Sequence, residues 1–555
     1  MKQGSTIVND KLKGRLFFLL FAVLLITVFS TCSFLYPLNP WDDANVYMTI
    51  GNAMLGGREL YVDIFDHKGP VLFFLHEWAA MLSRSSFIGI YFLEIVCCYF
   101  YLLFSWKTMK LFTSFFSPFH LFTFSLFLGL LTYSSDFFSY GDSVEEFALP
   151  IFAHSLYLML RYVMHRELPG RWHSVAMGIG VALLFWMKFN LLFFYVGGLL
   201  VIACIAWRRE QTREFWTIVL WAFLGFMAVT AGVLAYFALH GTLAALWESY
   251  FMVNIFHYHG VGTNGEPPFW WFKLVKLGIW AVLMIPVFFL RVSREVKLLV
   301  FGTYGVLVLS FATLTVQFYY FLTLFPFFVL LVTLKDPKDL KDLKDLKDLK
   351  DLKDLKDPKD LKVLKDPKDL KDPKVPKALK ALIVLKVLFP FIALLAIATN
   401  WNLVTLLNGT FPRSVLEMAE IINANETEDS EVLTFSSYDT GIYQHTRHLP
   451  PNRNFFISSI LDPEIKREQA ELVNSGKIKY LVREIGAINT CHEYYDAPVP
   501  DNYQLIYDNE ELFRYRFIWQ PLSYLWNLTW PRPLLRHIME PVTANQKMQV
   551  YERRP

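Results

Sequence analysis

The chain has 555 residues, 54% of them hydrophobic and 17% aromatic, with a mean hydropathy of +0.34; no soluble domain hides that much apolar surface, which leaves an integral membrane protein. Its 53 basic and 50 acidic residues give a net charge of +3, so there is no field of one sign and no electrostatic motive for binding nucleic acid. Four of the five cysteines (Cys32, Cys97, Cys98 and Cys204) lie in apolar runs, and Cys491 has no counterpart on its side of the membrane, which excludes a disulfide framework.

The first apolar run, 16–35, follows Lys11, Lys13 and Arg15. It is longer than a signal-peptide core and lacks a small-residue cleavage site, so it reads as a retained span. Runs long enough to cross a hydrocarbon core fall at 14–36, 87–105, 117–135, 147–164, 172–188, 190–206, 215–238, 269–290, 296–315, 318–334 and 379–400. The predicted fold class is therefore an all-α polytopic membrane protein of about eleven helices. Basic clusters at 107–110, 161–171, 208–213, 291–297 and from 335 onward all fall on one side if the amino terminus is cytoplasmic. That solution requires Pro70–Leu82, thirteen residues behind a Gly-Pro pair, to be an interfacial or re-entrant helix rather than a span.

The first outer loop then runs over 36–86 and holds Trp41, Asp42, Asp43, Tyr47, Tyr61, Asp63, Asp66, His67 and Lys68. A second contains Tyr140, Asp142, Glu145 and Glu146, and a third covers 240–268. Residues 1–334 read as the main transmembrane domain, and 335–377 as a Lys-Asp-Leu tandem repeat. A three-residue period precesses around a helix, and Pro337, Pro358, Pro367, Pro373 and Pro376 interrupt it, so the repeat reads as a solvated cytoplasmic linker. Residues 378–400 form the last span. A small extracytoplasmic α/β domain occupies 401–555, with strands predicted at 431–435 and 478–482 around a helix at 462–475.

Paired carboxylates beside a membrane span are costly to hold near hydrocarbon, which makes Asp42 and Asp43 the leading chemical candidates. One of them can accept a proton from a hydroxyl attacking a sugar's anomeric carbon; alternatively Asp42 caps an interfacial helix beginning near Asn45. Lys68, directly before Gly69 and Pro70, can meet a phosphate facing the N–H groups of a helix terminus, or can simply snorkel. Lys188 sits in a tight outer turn, as a second phosphate contact or a hairpin anchor. Tyr320 belongs either to the interfacial aromatic belt or to the lining of a donor groove.

Asp43 and Tyr47, then Gly56 and Gly57, then Tyr61, Asp63, Asp66, His67, Lys68, Gly69 and Pro70 resemble the first outer loop of the GT-C glycosyltransferases. Within that class the sequence is similar to the dolichyl-phosphate-mannose protein mannosyltransferase-like and aminoarabinose-transferase-like group, whose pattern is Asp-Glu-x-x-Tyr followed by Lys-Pro-Pro or Lys-Gly-Pro. Tyr319, Tyr320 and Pro326 resemble that group's His-Tyr-Phe-Leu-x-x-x-Pro stretch. The resemblance covers roughly the first 400 residues apart from the repeat. It implies inverting sugar transfer from a polyprenyl-phosphate-linked donor to a hydroxyl of a protein, lipid or glycan acceptor, at the extracytoplasmic face of the plasma (inner) membrane. By the same resemblance Asp43 is the catalytic aspartate, with Asp42 beside it, and Lys68 lies near the donor phosphate. Glu145 and Glu146, with Asp63, fall in the acceptor or metal region. Ala44 replaces a common Glu and Tyr319 a common His, so a divalent cofactor, Mg2+ or Mn2+, would have to be held through carboxylate oxygens.

Two other readings compete. Many spans with few internal charges also suit a transporter or lipid flippase, but the acidic residues gather at one surface and no internal duplication is evident. A polysaccharide polymerase or ligase would share the donor but does not call for a large first loop centred on Asp43.

Overall fold

The computed structural model describes residues 2–112, 118–135, 137–257, 292–312, 318–330, 400–409, 411–425, 431–435, 437, 439, 441–456, 462–486, 498–514 and 543–554. The predicted span at 269–290, the span at 379–400 except for its last residue, and the Lys-Asp-Leu repeat lie outside them.

Among the described residues up to Leu239, nine α-helices follow one another: α1 (Lys2–Phe29), α2 (Asp42–Leu55), α3 (Pro70–Leu82), α4 (Ile88–Phe112), α5 (Pro118–Tyr133), α6 (Val144–His165), α7 (Arg171–Met187), α8 (Phe193–Arg208, after a 3₁₀ turn at Phe189–Leu192) and α9 (Thr212–Leu239). Among the described residues, Ile88–Phe112, Val144–His165, Phe189–Arg208 and Thr212–Leu239 are long and apolar enough to cross a membrane. They are apolar nearly all round because one side meets protein and the other meets lipid. Close packing is set by glycines: a Cβ on Gly178 of α7 would lie 1.8 Å from the Ala222 carbonyl of α9, and one on Gly225 of α9 would lie 2.2 Å from the Val175 carbonyl of α7. The predicted span at 318–334 departs from a regular helix. It begins as a 3₁₀ segment, Phe318–Leu324, and continues as one α-turn, Phe325–Phe328, around Pro326, which has no N–H to give a helix.

Among the described residues, the basic stretches around Lys107, Arg161, Arg209 and Arg294 meet at one end of the bundle. There Arg209 donates to the Tyr162 and Val163 carbonyls at 3.1 and 2.8 Å and pairs with Glu295. At the opposite end gather α2, α3, the loop before α6, the α7–α8 turn and the soluble domain. The short helices α2 and α3 lie against each other so tightly that a Cβ on Gly51 would sit 2.5 Å from the His76 backbone.

The soluble domain holds a four-stranded sheet of order β1-β2-β4-β3, with β1 Val432–Thr434, β2 Tyr480–Gly486, β3 Tyr503–Arg514 and β4 Thr543–Arg553. β1 and β2 run parallel and the other pairs are antiparallel. A parallel pair needs a crossover, and Asp462–Asn474 supplies a helix between β1 and β2.

Candidate active site

The sequence places two acidic residues at the start of α2 and a Pro at the first position of α3, both favourable at helix N-termini. Asp42 does not cap α2 as expected for a helix beginning at Asn45: the helix begins at Asp42 itself, after an extended Trp41 with no side-chain cap. Asp42 and Asp43 therefore occupy the first turn, and their carboxylates diverge.

Asp43 faces the helical bundle. The Tyr319 hydroxyl donates to its Oδ2 at 3.5 Å, and Trp41 stacks edge-on against the Tyr319 ring at 5.4 Å. One turn along α2, the buried Tyr47 ring lies 5.7 Å beneath Lys68 Nζ. Tyr320 lies within electrostatic reach of Glu145, Lys68 and Asp43 together. Lys188 Nζ sits 3.8 Å over the Tyr320 ring and 2.6 Å from Glu145 Oε1. Asp43, Lys68, Lys188, Tyr320 and Glu145, drawn from five separate stretches of chain, thus meet in one hollow.

Gly69 makes that meeting possible. Its N–H donates to the Met187 carbonyl at 3.0 Å, and a Cβ there would lie 2.0 Å from the Trp186 oxygen. Only glycine lets the backbone after Lys68 reach the backbone before Lys188. The Lys68 segment is further pinned by Tyr61, whose hydroxyl donates to the Lys68 carbonyl at 2.6 Å, and by Asn254, whose amide donates to the His67 carbonyl at 2.6 Å. Burial alone would raise the Asp66 carboxyl, but the His67 and Lys68 charges and hydrogen bonds from His67 overcome it and hold Asp66 at about 2. Burial pushes the His67 imidazole down, and Lys68 beside it adds to that.

Asp42 turns toward the soluble domain. Burial, Glu484, Asp43 and Asp439 all raise its carboxyl well above the usual range. Asp439 docks that domain on α2: Thr49 Oγ1 donates to its Oδ2 at 2.5 Å and Gly441 N–H to its Oδ1 at 2.9 Å. Burial still raises Asp439 to about 6. Arg453 adds a second tether, donating to the Tyr61 carbonyl at 3.0 Å and covering the Phe65 ring at 4.5 Å.

Besides Asp42, two more of the sequence candidates stand apart from the hollow. Asp63 Oδ2 accepts the Glu59 N–H at 2.9 Å, closing its own turn. Glu146 is fully buried, and its Oε2 accepts the Asp142 N–H at 3.1 Å, next to Glu94. Sequence reasoning passed over Glu94, His76 and Asp142. The signal for Glu94 was an ionisable residue inside a membrane run; Asp142 and His76 carried none beyond their loop and helix. Among the described residues, a cavity of about 300 Å³ lined by residues 31–34, 36–38, 83, 85–88, Gln444 and His445 does not include Asp43 or Lys68 and contributes nothing to the chemistry described.

As a test of a divalent ion, no group of three or more His, Cys, Asp or Glu side chains that could hold one is gathered among the described residues, and Lys188 already engages Glu145.

No family model and no curated protein sequence matches the chain. Solved structures do. ArnT from Cupriavidus metallidurans bound to undecaprenyl phosphate superposes with a TM-score of 0.52 at 13% identity, over 84% of this chain and 92% of ArnT. The apo form of the same enzyme gives 0.51 at 12% identity, over 87% and 93%. At such identity the likeness speaks for the fold alone, and it extends from the helical bundle into the soluble domain: this chain has the fold seen in ArnT.

Proposed function

We propose that this protein transfers a sugar from a polyprenyl-phosphate-linked donor to an acceptor hydroxyl, with Asp43 as general base. The observation that carries this reading is the hollow itself, in which a carboxylate and two lysines converge at one end of an ArnT-like bundle. The ArnT structure that superposes on this chain holds undecaprenyl phosphate, a ligand of the chemistry that Lys68 and Lys188 suit.

The acceptor oxygen attacks the anomeric carbon while the bond from that carbon to the phosphate oxygen breaks. Asp43 takes the acceptor's proton, and the polyprenyl phosphate departs with the bonding electrons, its charge balanced by Lys68 and then Lys188. Attack opposite to the leaving group inverts the anomeric centre. Glu145 holds the Lys188 ammonium in place, and Tyr319 and Tyr320 wall the hollow. The basic clusters support a cytoplasmic amino terminus; in that orientation the hollow opens on the outer face, where a protein, lipid or glycan acceptor is met.

Membranes carrying the protein, given a polyprenyl-phosphate sugar with a labelled sugar, should transfer the label. Lys68→Ala should weaken donor binding and slow transfer, because it removes a charge-assisted phosphate contact worth about 1.5–3 kcal/mol. Unchanged donor binding and transfer in that variant would remove Lys68 from the site. A cysteine placed at Asp63 should react with an impermeant thiol reagent in intact cells; reaction only after permeabilisation would reverse the orientation.

A further inference from the structure

The loop before α6 is held in a backbone conformation that most side chains avoid. Ser139, Gly141 and Asp142 have φ of +60°, +90° and +61°, and each non-glycine residue there costs on the order of 1 kcal/mol. Several elements pay attention to this one loop. Thr31 donates its N–H and hydroxyl to the Tyr140 carbonyl at 2.9 and 2.8 Å, and Asn402 donates to the Ser139 carbonyl at 3.0 Å. The Asp142 N–H donates to Glu94 Oε1 at 2.8 Å and Glu146 Oε2 at 3.1 Å. Ser30 fixes the other Glu94 oxygen at 2.7 Å. A Cβ on Gly141 would lie 2.3 Å from Glu94 Oε1 and would displace that carboxylate, and the φ of +90° there favours glycine.

The product of all this is one aimed side chain. The Asp142 carboxylate, wholly buried, lies 2.9 and 3.1 Å from Nε2 of the equally buried His76. His76 Nδ1 is 2.8 Å from the Leu72 carbonyl, which can only accept, so Nδ1 carries a hydrogen. A second proton must then lie between Nε2 and Asp142, whichever of the two owns it. The groups facing this pair are Asp43 from α2, Glu94 from α4 and Glu146 from α6. Burial raises the Asp142 carboxyl, His76 opposes that rise, and Asp43 adds to it. On its other side the His76 ring meets Tyr47 edge-on at 5.5 Å, and Tyr47 lies one turn after Asp43 and beneath Lys68.

We propose that Asp142 and His76 form a positioning dyad that fixes Tyr47, and through it the separation of Asp43 from Lys68. The inference rests on the assignment of those two residues above. Neither member of the dyad touches the reacting atoms; the strained loop and its clamps exist to hold His76 against Tyr47.

Asp142→Gly removes the carboxylate and accepts the same positive φ, so it adds no backbone strain. Asp142→Asn keeps the size, tolerates that φ, and can donate its amide to a neutral Nε2. With a labelled undecaprenyl-phosphate sugar as donor, Asp142→Gly should lower kcat by about 10- to 100-fold while the donor KM stays within about threefold, as expected when a catalytic group is misplaced by about 1 Å. Asp142→Asn should recover to within a few-fold of the parent. In an Asp43→Asn background Asp142→Gly should cost less than about twofold more, because the group it positions is already disabled. Should Asp142→Gly fail to accumulate in membranes, His76→Phe keeps a ring against Tyr47 but breaks the pair, and should show the same loss and the same non-additivity. Parent-like kcat in the variant that accumulates, or its full loss repeated in the Asp43→Asn background, would overturn the dyad. A parent protein that transfers no sugar would instead overturn the functional reading on which it stands.

Discussion

Gly69→Ala probes the contact on which the hollow depends. Gly69 has φ −75° and ψ 153°, which alanine adopts freely, so the effect of the change is steric. The new methyl would sit 2.0 Å from the Trp186 oxygen, 2.4 Å from its carbonyl carbon and 3.0 Å from the Met187 nitrogen. All three atoms are backbone, so no rotamer change relieves the clash. The two segments must separate by more than about 1 Å, which stretches or breaks the Gly69 N–H bond to the Met187 carbonyl. Overpacking of this kind costs about 1–3 kcal/mol, and a lost hydrogen bond adds about 1 kcal/mol. Lys68 moves with the segment, away from Lys188 and Tyr320, and a displacement of about 1 Å costs on the order of 10²-fold in turnover. Thermal unfolding of the purified protein reads the first effect, and transfer of labelled sugar reads the second. Gly170→Ala is the control: φ there is −66° and no atom lies within 4 Å of the added methyl. If Gly69→Ala matches Gly170→Ala in both assays, the two segments do not approach as described.

Lys188→Met should lower stability by about 3–5 kcal/mol, because it leaves the Glu145 carboxylate, only 2% exposed, without its ammonium. Adding Glu145→Gln should return part of that loss, as measured by a double-mutant cycle in thermal unfolding. Asp439, raised to about 6, binds its proton more tightly in the folded chain than at the usual carboxylate value near 4. Its contribution is thus fully present below about pH 4 and is lost as pH rises through about 6. The melting temperature of the parent relative to Asp439→Asn should therefore fall between those pH values and level off above; a flat difference would contradict the burial of Asp439 against α2. Shortening the 335–377 repeat to a few units should leave transfer intact, since a solvated linker changes length at an entropic cost below about 1 kcal/mol per doubling; lost activity with normal insertion would give the repeat a role.

Local chemistry was legible in the sequence, and long-range pairing was not. The Gly-Pro start and thirteen-residue length identified Pro70–Leu82 as a short helix rather than a span, and α3 occupies those residues. Asp43 and Lys68 stood out because each lies at a helix start beside apolar sequence, where a charge needs a reason. The Glu145–Lys188 and Asp142–His76 pairs, by contrast, join residues 43 and 66 positions apart, and nothing local announces either partner. Gly69 was read as part of a helix start, yet its second role is to admit the Trp186 backbone, which only the packed structure reveals. In the soluble domain β1 and β2 were visible as apolar runs. β3 and β4 were not: segments such as Asn545 to Gln549 and Asp508 to Glu511 are rich in residues that strands disfavour, and pairing with each other holds them.

The central claim is that Asp43 accepts the acceptor's proton, and Asp43→Asn tests it with a change of charge at nearly constant size. Turnover of a labelled polyprenyl-phosphate sugar should fall by about 10²–10⁴-fold while donor binding survives. Asp42→Asn, whose carboxylate faces Glu484 and Asp439 rather than the hollow, should show the smaller defect in the same membranes. Transfer by Asp43→Asn at the parent rate would contradict the account, and if Asp42→Asn were then inactive, the base would be the neighbouring residue.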